Sequence, residues 1–238
     1  MTGITTSSAA VASTPVSVVR RAAELDVEQR QARYARVDRA FAVLLAIQWI
    51  AGIAAALWLS PYAWAGKEKV LHIHVWIAVL GGAGICLLPI LLAIFRPGWV
   101  VTRHVIAASQ MLSSALLIHL TGGRIETHFH VFGSLAFLAF YIDWPVLITA
   151  TIVVAADHFL RGIYWPESVY GVTNPEWWRF LEHAGWVVFC DIWLIWGCLI
   201  GRHEMAAAAM RQAEVEYLTE QEQLKTAALE MAMAEMTA

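Results

Sequence analysis

Six long apolar runs constrain the fold of this chain more than any other feature of its 238 residues. They extend over residues 40–60, 71–95, 101–121, 127–142, 146–165 and 177–200. Most are near the ~20 residues that an α-helix needs to cross about 30 Å of hydrocarbon, although the fourth is short. Within hydrocarbon the backbone must satisfy its own hydrogen bonds, so each run predicts a helix. We therefore predict an all-α polytopic membrane protein with six transmembrane helices.

The composition agrees with a membrane protein. Charged residues make up 15% of the chain and hydrophobic residues 59%, whereas a soluble domain carries about 25% charged residues. The formal net charge of −3 gives no reason to expect nucleic-acid binding. All three cysteines fall inside apolar runs, which indicates small buried hydrophobes instead of a disulfide framework: Cys86, Cys190 and Cys198.

Four segments follow from the patterning. Residues 1–18 are rich in Ser, Thr and Ala and predict a disordered tail, and residues 19–39 carry six arginines and predict a cytoplasmic amphipathic helix. Residues 40–202 form the six-helix domain, and 203–238 form a C-terminal cytoplasmic helix. Arginines beside the first span, in the 96–103 turn and at 202 orient the bundle. Both termini are then cytoplasmic.

The C-terminal helix has a seam of larger side chains seven residues apart, at Met210, Tyr217, Leu224 and Met231. Spacing of seven is typical of helices that pair in coiled coils. We therefore expect this C-terminal helix to make a homodimer. The alternative is an Ala-rich helix that is simply solvated.

Most of the chain's histidines fall in one layer near the outer face. Seven of the nine lie within roughly 10 Å of depth, from the 1.5 Å helical rise per residue: His72, His74, His119, His128, His130, His158 and His183. Acidic residues and one arginine join them: Glu126, Asp157, Glu182, the deeper Asp191, and Arg161.

Such a layer predicts a metal centre. An ionisable group in a bilayer costs roughly 2.5–3.5 kcal/mol even on the lenient insertion scale and generally faces a partner. Neutral imidazole is a frequent metal ligand, and a carboxylate often holds its second nitrogen. Imidazole and carboxylate without thiolate favour copper first, then iron or zinc. The rivals are haem held by two axial histidines, a polar network that moves protons, and packing of a polar rim.

Helical geometry limits which histidines act together. His72 and His74 are two residues apart, about 200° around a helix, as are His128 and His130. Each pair therefore serves one centre only if the helix start is irregular. The predicted metal set is His72, His119, His128 or His130, His158 and His183, with Asp157, Glu182, Glu126, Asp191 and Arg161 as supporting groups or further ligands. That set is enough for two ions.

Three segments around these histidines carry a resemblance to a known group of proteins. Their sequences are THFHVFGSLAFLAFY at 127–141, VVAADHFLRGIYWPESVYG at 153–171 and EHAGWVVFCD at 182–191. They resemble the N-terminal membrane sensor region of bacterial histidine kinases, diguanylate cyclases and methyl-accepting chemotaxis proteins. The resemblance covers about 70–205 and implies a sensor whose exit helix drives a cytoplasmic output module. No such output module is present in these 238 residues.

Taken together, the sequence predicts a membrane sensor with a histidine–carboxylate metal centre that relays its state through the sixth helix. An enzyme is the alternative from another class, as a membrane metal-dependent oxidase or hydroxylase. A metal transporter is a third reading, but it requires polar residues through the inner half, which is largely apolar.

Overall fold

A computed structural model of the protein describes residues 15–237. Most of this range is helical, and the helices are α1 (Val16–Leu59), α2 (Ile73–Phe95), α3 (Val100–Leu120), α4 (Ile125–Leu138), α5 (Trp144–Tyr164), the short α6 (Glu167–Tyr170) and α7 (Arg179–Thr237). The predicted disordered tail lies mainly outside the described residues, and α1 begins at Val16. The predicted amphipathic helix and the first predicted span form one continuous helix, α1. The sixth predicted span and the C-terminal helix likewise form one continuous helix, α7.

Long apolar helices are confirmed. Among the described residues, five helices are long and apolar enough to cross a membrane: α1, α2, α3, α5 and α7. This is consistent with a membrane protein. Helix α4 occupies the fourth predicted run but has 14 residues and continues only as a 3₁₀ turn, Ala139–Tyr141. The count of six spans therefore stays a prediction.

The described residues are nearly all α-helical, as predicted, and between α1 and α2 the chain also forms a β-hairpin that was not predicted. Strands β1 (Tyr62–Ala65) and β2 (Glu68–Leu71) pair antiparallel, with Tyr62 opposite Leu71. Gly66 adopts the left-handed conformation, with φ of 66°, that a tight two-residue turn requires. The Lys69 ammonium lies 3.7 Å from the centre of the Tyr62 ring. This connection was treated as a plain loop because each strand has only four residues.

The described chain divides into two compact units, which are considered separately. One comprises residues Gln31–Ile200, and the other the residues up to Arg30 together with those from Gly201 onward. In the larger unit α3 is the central helix. It buries apolar and small polar side chains along most of its length, including Ile106, Gln110, Ser114 and Ile118.

A buried polar cluster ties four parts of the larger unit together. The Asp38 carboxylate of α1 accepts hydrogen bonds of 2.6 Å from the Tyr141 hydroxyl and from the Gly98 backbone N–H. Gly98 has a φ of 85°, so the turn before α3 needs glycine there. Arg103 of α3 forms a 2.6 Å ion pair with Asp143. Asp38 is fully buried. The cluster connects α1, the turn before α3, α3 itself and the α4–α5 turn.

In the smaller unit, the start of α1 packs on α7. Val18, Ala22 and Leu25 are buried against Ala209 and Ala213, and Met210 and Tyr217 lie at the edge of this cluster. The Arg21 guanidinium donates to the Glu216 carboxylate over 2.9 Å. Half of the predicted coiled-coil seam therefore contacts α1 of the same chain, whereas Leu224 and Met231 are exposed.

We expect Tyr141→Phe to destabilise the protein by about 1–3 kcal/mol, because it leaves a buried carboxylate oxygen of Asp38 without its donor. The measurement is the free energy of unfolding in detergent micelles. Tyr164→Phe is the control, since Tyr164 is 82% exposed, and it should have little effect. Equal stability of the two variants would contradict the role of the Asp38 cluster.

Candidate functional site

Three of the predicted histidines come together from three helices. They are His128 of α4, His158 of α5 and His183 of α7. The ring centre of His128 lies 5.5 Å from that of His158 and 5.2 Å from that of His183, and the last two are 6.0 Å apart. His128 and His158 are buried. We call these three side chains the inner histidine trio. The sequence predicted their common depth, and the fold brings them into contact.

Each ring of the trio is oriented by its own helix. Nδ1 of His128 lies 3.0 Å from the Arg124 carbonyl oxygen. Nδ1 of His158 lies 3.1 Å from the Val154 carbonyl oxygen, and Nδ1 of His183 lies 3.0 Å from that of Arg179. A carbonyl oxygen only accepts, so each Nδ1 carries hydrogen and donates it. A neutral ring in this tautomer has its lone pair on Nε2. The Nε2 atom of His128 is buried and has no hydrogen-bond partner.

A second group contains His72, His74 and His119. The ring centres of His72 and His74 are 4.3 Å apart, and those of His74 and His119 are 5.0 Å apart. His72 precedes the first turn of α2 with an extended backbone, so the irregular helix start allows both members of this pair to lie together. Its Nδ1 accepts the backbone N–H of His74 over 3.1 Å. A neutral His72 therefore carries hydrogen on Nε2, unlike the trio.

His130 lies apart from both groups. The Gln48 side-chain amide donates to its Nε2 over 3.0 Å, and its Nδ1 lies 2.7 Å from the Ser114 hydroxyl. Both ring nitrogens are therefore occupied. The spacing of two residues predicted that His128 and His130 face different directions. Their different hydrogen-bond partners agree with this prediction. Glu126 does not approach His130 and forms an exposed 3.7 Å pair with Arg124.

A chain of polar contacts connects the trio with the second group. Asp157 lies 3.3 Å from Nδ1 of His158 and receives two hydrogen bonds, of 2.8 and 2.6 Å, from the Arg161 guanidinium. Arg161 also donates to the Ser168 hydroxyl over 2.7 Å. Ser168 lies 2.9 Å from Nδ1 of His119. The i, i+4 spacing of Asp157 and Arg161 was visible in the sequence, whereas Ser168 of the short helix α6 was not recognised.

Glycine residues in the α3–α4 loop and directly after α6 allow the Ser168 hydroxyl to lie beside Nδ1 of His119. Gly123 has a φ of 73°, and a Cβ atom there would collide with the backbone nitrogen of Gly171. The α3–α4 loop can therefore lie directly on the segment after α6. Tyr170 of α6 places its ring 5.4 Å from the His183 ring, and burial raises the pKa of its phenol. Sequence reasoning missed Tyr170 as well.

The two other acids take different positions. Glu182 is exposed at the edge of a cavity beside the trio. Asp191 is buried two turns further along α7, where the Thr151 hydroxyl donates to it, and its other oxygen has no partner. Within residues 15–237, no group of three or more His, Cys, Asp or Glu side chains has the arrangement of a metal-ion site. The predicted metal centre therefore stays a prediction.

Comparison with known proteins gives one relevant similarity. The chain is 33% identical over 87 residues to transducer protein Htr8 of Halobacterium salinarum, a match that covers 34% of this chain and 14% of Htr8. The similarity is weak and partial, and it is consistent with the predicted resemblance to signalling proteins. No family model matches the chain, and no solved structure matches it.

We expect Arg161→Ala to destabilise the protein by roughly 3 kcal/mol, because removing one partner leaves the Asp157 charge largely buried without compensation. The measurement is again unfolding in detergent micelles. Arg124→Ala is the matched control, since its ion pair with Glu126 is mostly exposed, and such pairs contribute at most about 1 kcal/mol. A result in which both variants behave alike would count against the polar connection.

Proposed function

We propose that this chain is a membrane sensor module in which the inner histidine trio binds one transition-metal ion. The observation that carries the proposal is the shared orientation of the three rings. Each Nδ1 donates to a carbonyl of its own helix, which leaves the lone pair of each ring on Nε2. Ordinary packing of three histidines does not require the same tautomer in all of them.

The ring spacing supports a single ion. With metal–nitrogen bonds of about 2.0–2.1 Å, three imidazoles around one ion have ring centres roughly 5 Å apart. The trio has separations between 5.2 and 6.0 Å, so a small inward shift of the rings on binding is enough. Three nitrogen ligands without thiolate suit copper first, then iron or zinc. Three protein ligands also leave a position open for a further ligand.

The supporting residues fit a metal site better than a polar rim. Asp157 lies beside Nδ1 of His158 and is itself held by Arg161. Carboxylates in this position orient a metal-binding histidine and raise its basicity. The second group, with His72, His74 and His119, is a weaker candidate, because His72 uses Nδ1 as an acceptor. We therefore assign one ion to the trio and no ion to the second group.

The signal would pass through α7. His183 lies near the start of this helix, which continues to Thr237. A ligand shifts a protein between two arrangements only by binding them unequally, and a bond from an ion to His183 would restrain α7 in one arrangement. The similarity to a protein named a transducer supports a signalling role. In this proposal six helices span a bacterial cytoplasmic membrane with both termini inside, and α7 acts on a cytoplasmic signalling partner.

Metal analysis tests the trio directly. We expect protein purified without added metal, or loaded with Cu²⁺, Fe²⁺, Zn²⁺ or the zinc substitute Co²⁺, to hold about one ion per chain. His128→Ala, His158→Ala and His183→Ala should each reduce the occupancy at least ten-fold, because each removes one of three ligands. Elemental analysis gives the occupancy, and thermal unfolding shows that each variant is folded.

Two histidines outside the trio are matched controls for that experiment. His203→Ala changes an exposed residue of α7, and His130→Ala removes a histidine whose nitrogens are both occupied. Both variants should keep the wild-type metal content. Equal metal content in all five variants, or a metal-free wild type after loading, would contradict the proposal.

Dimer formation is a separate part of the proposal. Leu224 and Met231 are 59% and 64% exposed, continue the seam of Met210 and Tyr217, and fit a second copy of the same helix. We expect Leu224→Glu combined with Met231→Glu to convert a dimer to a monomer in light scattering of the detergent-solubilised protein. Leu218→Glu is the control, because Leu218 is 60% exposed but lies off the seam. A wild type that is monomeric would contradict the dimer.

A further inference from the structure

An aromatic cavity lies directly beside the inner histidine trio. It has a volume of about 810 Å³ and is bordered by α4, α5 and α7. All three histidines line it, and six aromatic rings line much of the remaining wall: Phe129, Phe132, Phe180, Trp186, Phe189 and Trp193. Small-molecule sites typically have about 300–1,000 Å³ and a mainly apolar wall with a few polar groups at one place. The cavity has these properties.

The cavity is accessible from the surface that faces lipid. Four of its aromatic residues are more than half exposed: Phe129, Trp186, Phe189 and Trp193. In a membrane this apolar surface is covered by hydrocarbon, so a ligand enters from the bilayer and must itself be lipid-soluble. At the inner wall the buried Nε2 atom of His128 has no partner.

The charged residues around the cavity further restrict the class of ligand that it can bind. Glu182 lines the cavity, and none of the described residues that line it is Lys or Arg. Asp157 is already neutralised by Arg161. A fatty acid or a phospholipid headgroup would bring its negative charge next to Glu182 without a compensating cation. The aromatic wall instead favours an uncharged ligand with a flat ring, since rings stack edge-to-face or offset on one another.

We propose that the cavity binds a lipid-soluble quinone or quinol, with its ring among the aromatic side chains and one ring oxygen beside the Nε2 atom of His128. This inference rests on the proposed function, because that oxygen occupies the position that a three-histidine metal site leaves open. The tail of the ligand lies towards Phe129 and Trp186 and continues into the bilayer. The ligand then contacts α7 along the turn from His183 to Trp186.

The test uses the full chain in lipid nanodiscs, loaded with Co²⁺ and titrated with decylubiquinol without oxygen. Co²⁺ is chosen because its visible absorption reports its ligands and it does not oxidise the quinol. We expect a saturable change in the cobalt bands at about one quinol per chain. Ala155→Trp fills the cavity and should raise the apparent Kd roughly ten-fold or more, since an overfilled site excludes the ring. Ala184→Trp fills it from α7 and should do the same.

Ala156→Trp is the matched control, because Ala156 is exposed on the same helix and does not line the cavity. It should bind quinol like the wild type. Bound cobalt with unchanged bands, an equal effect of all three Trp variants, or an equal response to oleate would overturn the quinol inference and leave the metal proposal intact. Failure to bind Co²⁺ before any quinol is added would overturn the proposed function and the inference with it.

Discussion

The hydrogen bond from each Nδ1 of the trio to a carbonyl one helical turn earlier is the interaction on which the candidate site depends. Each bond is local to one helix, so it needs no partner from elsewhere in the fold. It selects one tautomer and restrains the ring. Three helices that pack together then bring the three ring centres within 6.0 Å of one another. Preorganisation of this kind reduces the entropy that binding must overcome.

The same residue type performs other tasks elsewhere in the larger unit. His72 accepts a backbone N–H at the start of α2, and His130 joins Gln48 and Ser114. In hydrocarbon an unpaired polar group costs several kcal/mol, and the rings of His72 and His130 both have hydrogen-bond partners. The Asp157–Arg161–Ser168 contacts connect His158 with His119, so these side chains form one polar network.

Helix α7 combines the candidate site with the predicted output. It carries His183, Trp186 and Asp191 in the larger unit, and Ala209 and Ala213 pack on the start of α1 in the smaller unit. The contact between α1 and α7 uses small alanines, which permit close approach of two helices. Met210 and Tyr217 of the seam therefore lie against α1 of the same chain, whereas Leu224 and Met231 are exposed.

Apolar runs of membrane-spanning length were sufficient to predict the helices, because the backbone in hydrocarbon has few alternatives. The 1.5 Å rise per residue predicted a common layer for seven histidines, and the separation of His128 from His130 followed from their angle around α4. The hairpin at 62–71 was missed, because four-residue strands with one glycine turn give a weak pattern. The grouping of His128, His158 and His183, and the approach of Ser168 and Tyr170, were decided by tertiary structure alone. Which faces of α4, α5 and α7 meet depends on packing between residues far apart in the chain, and no local periodicity records it.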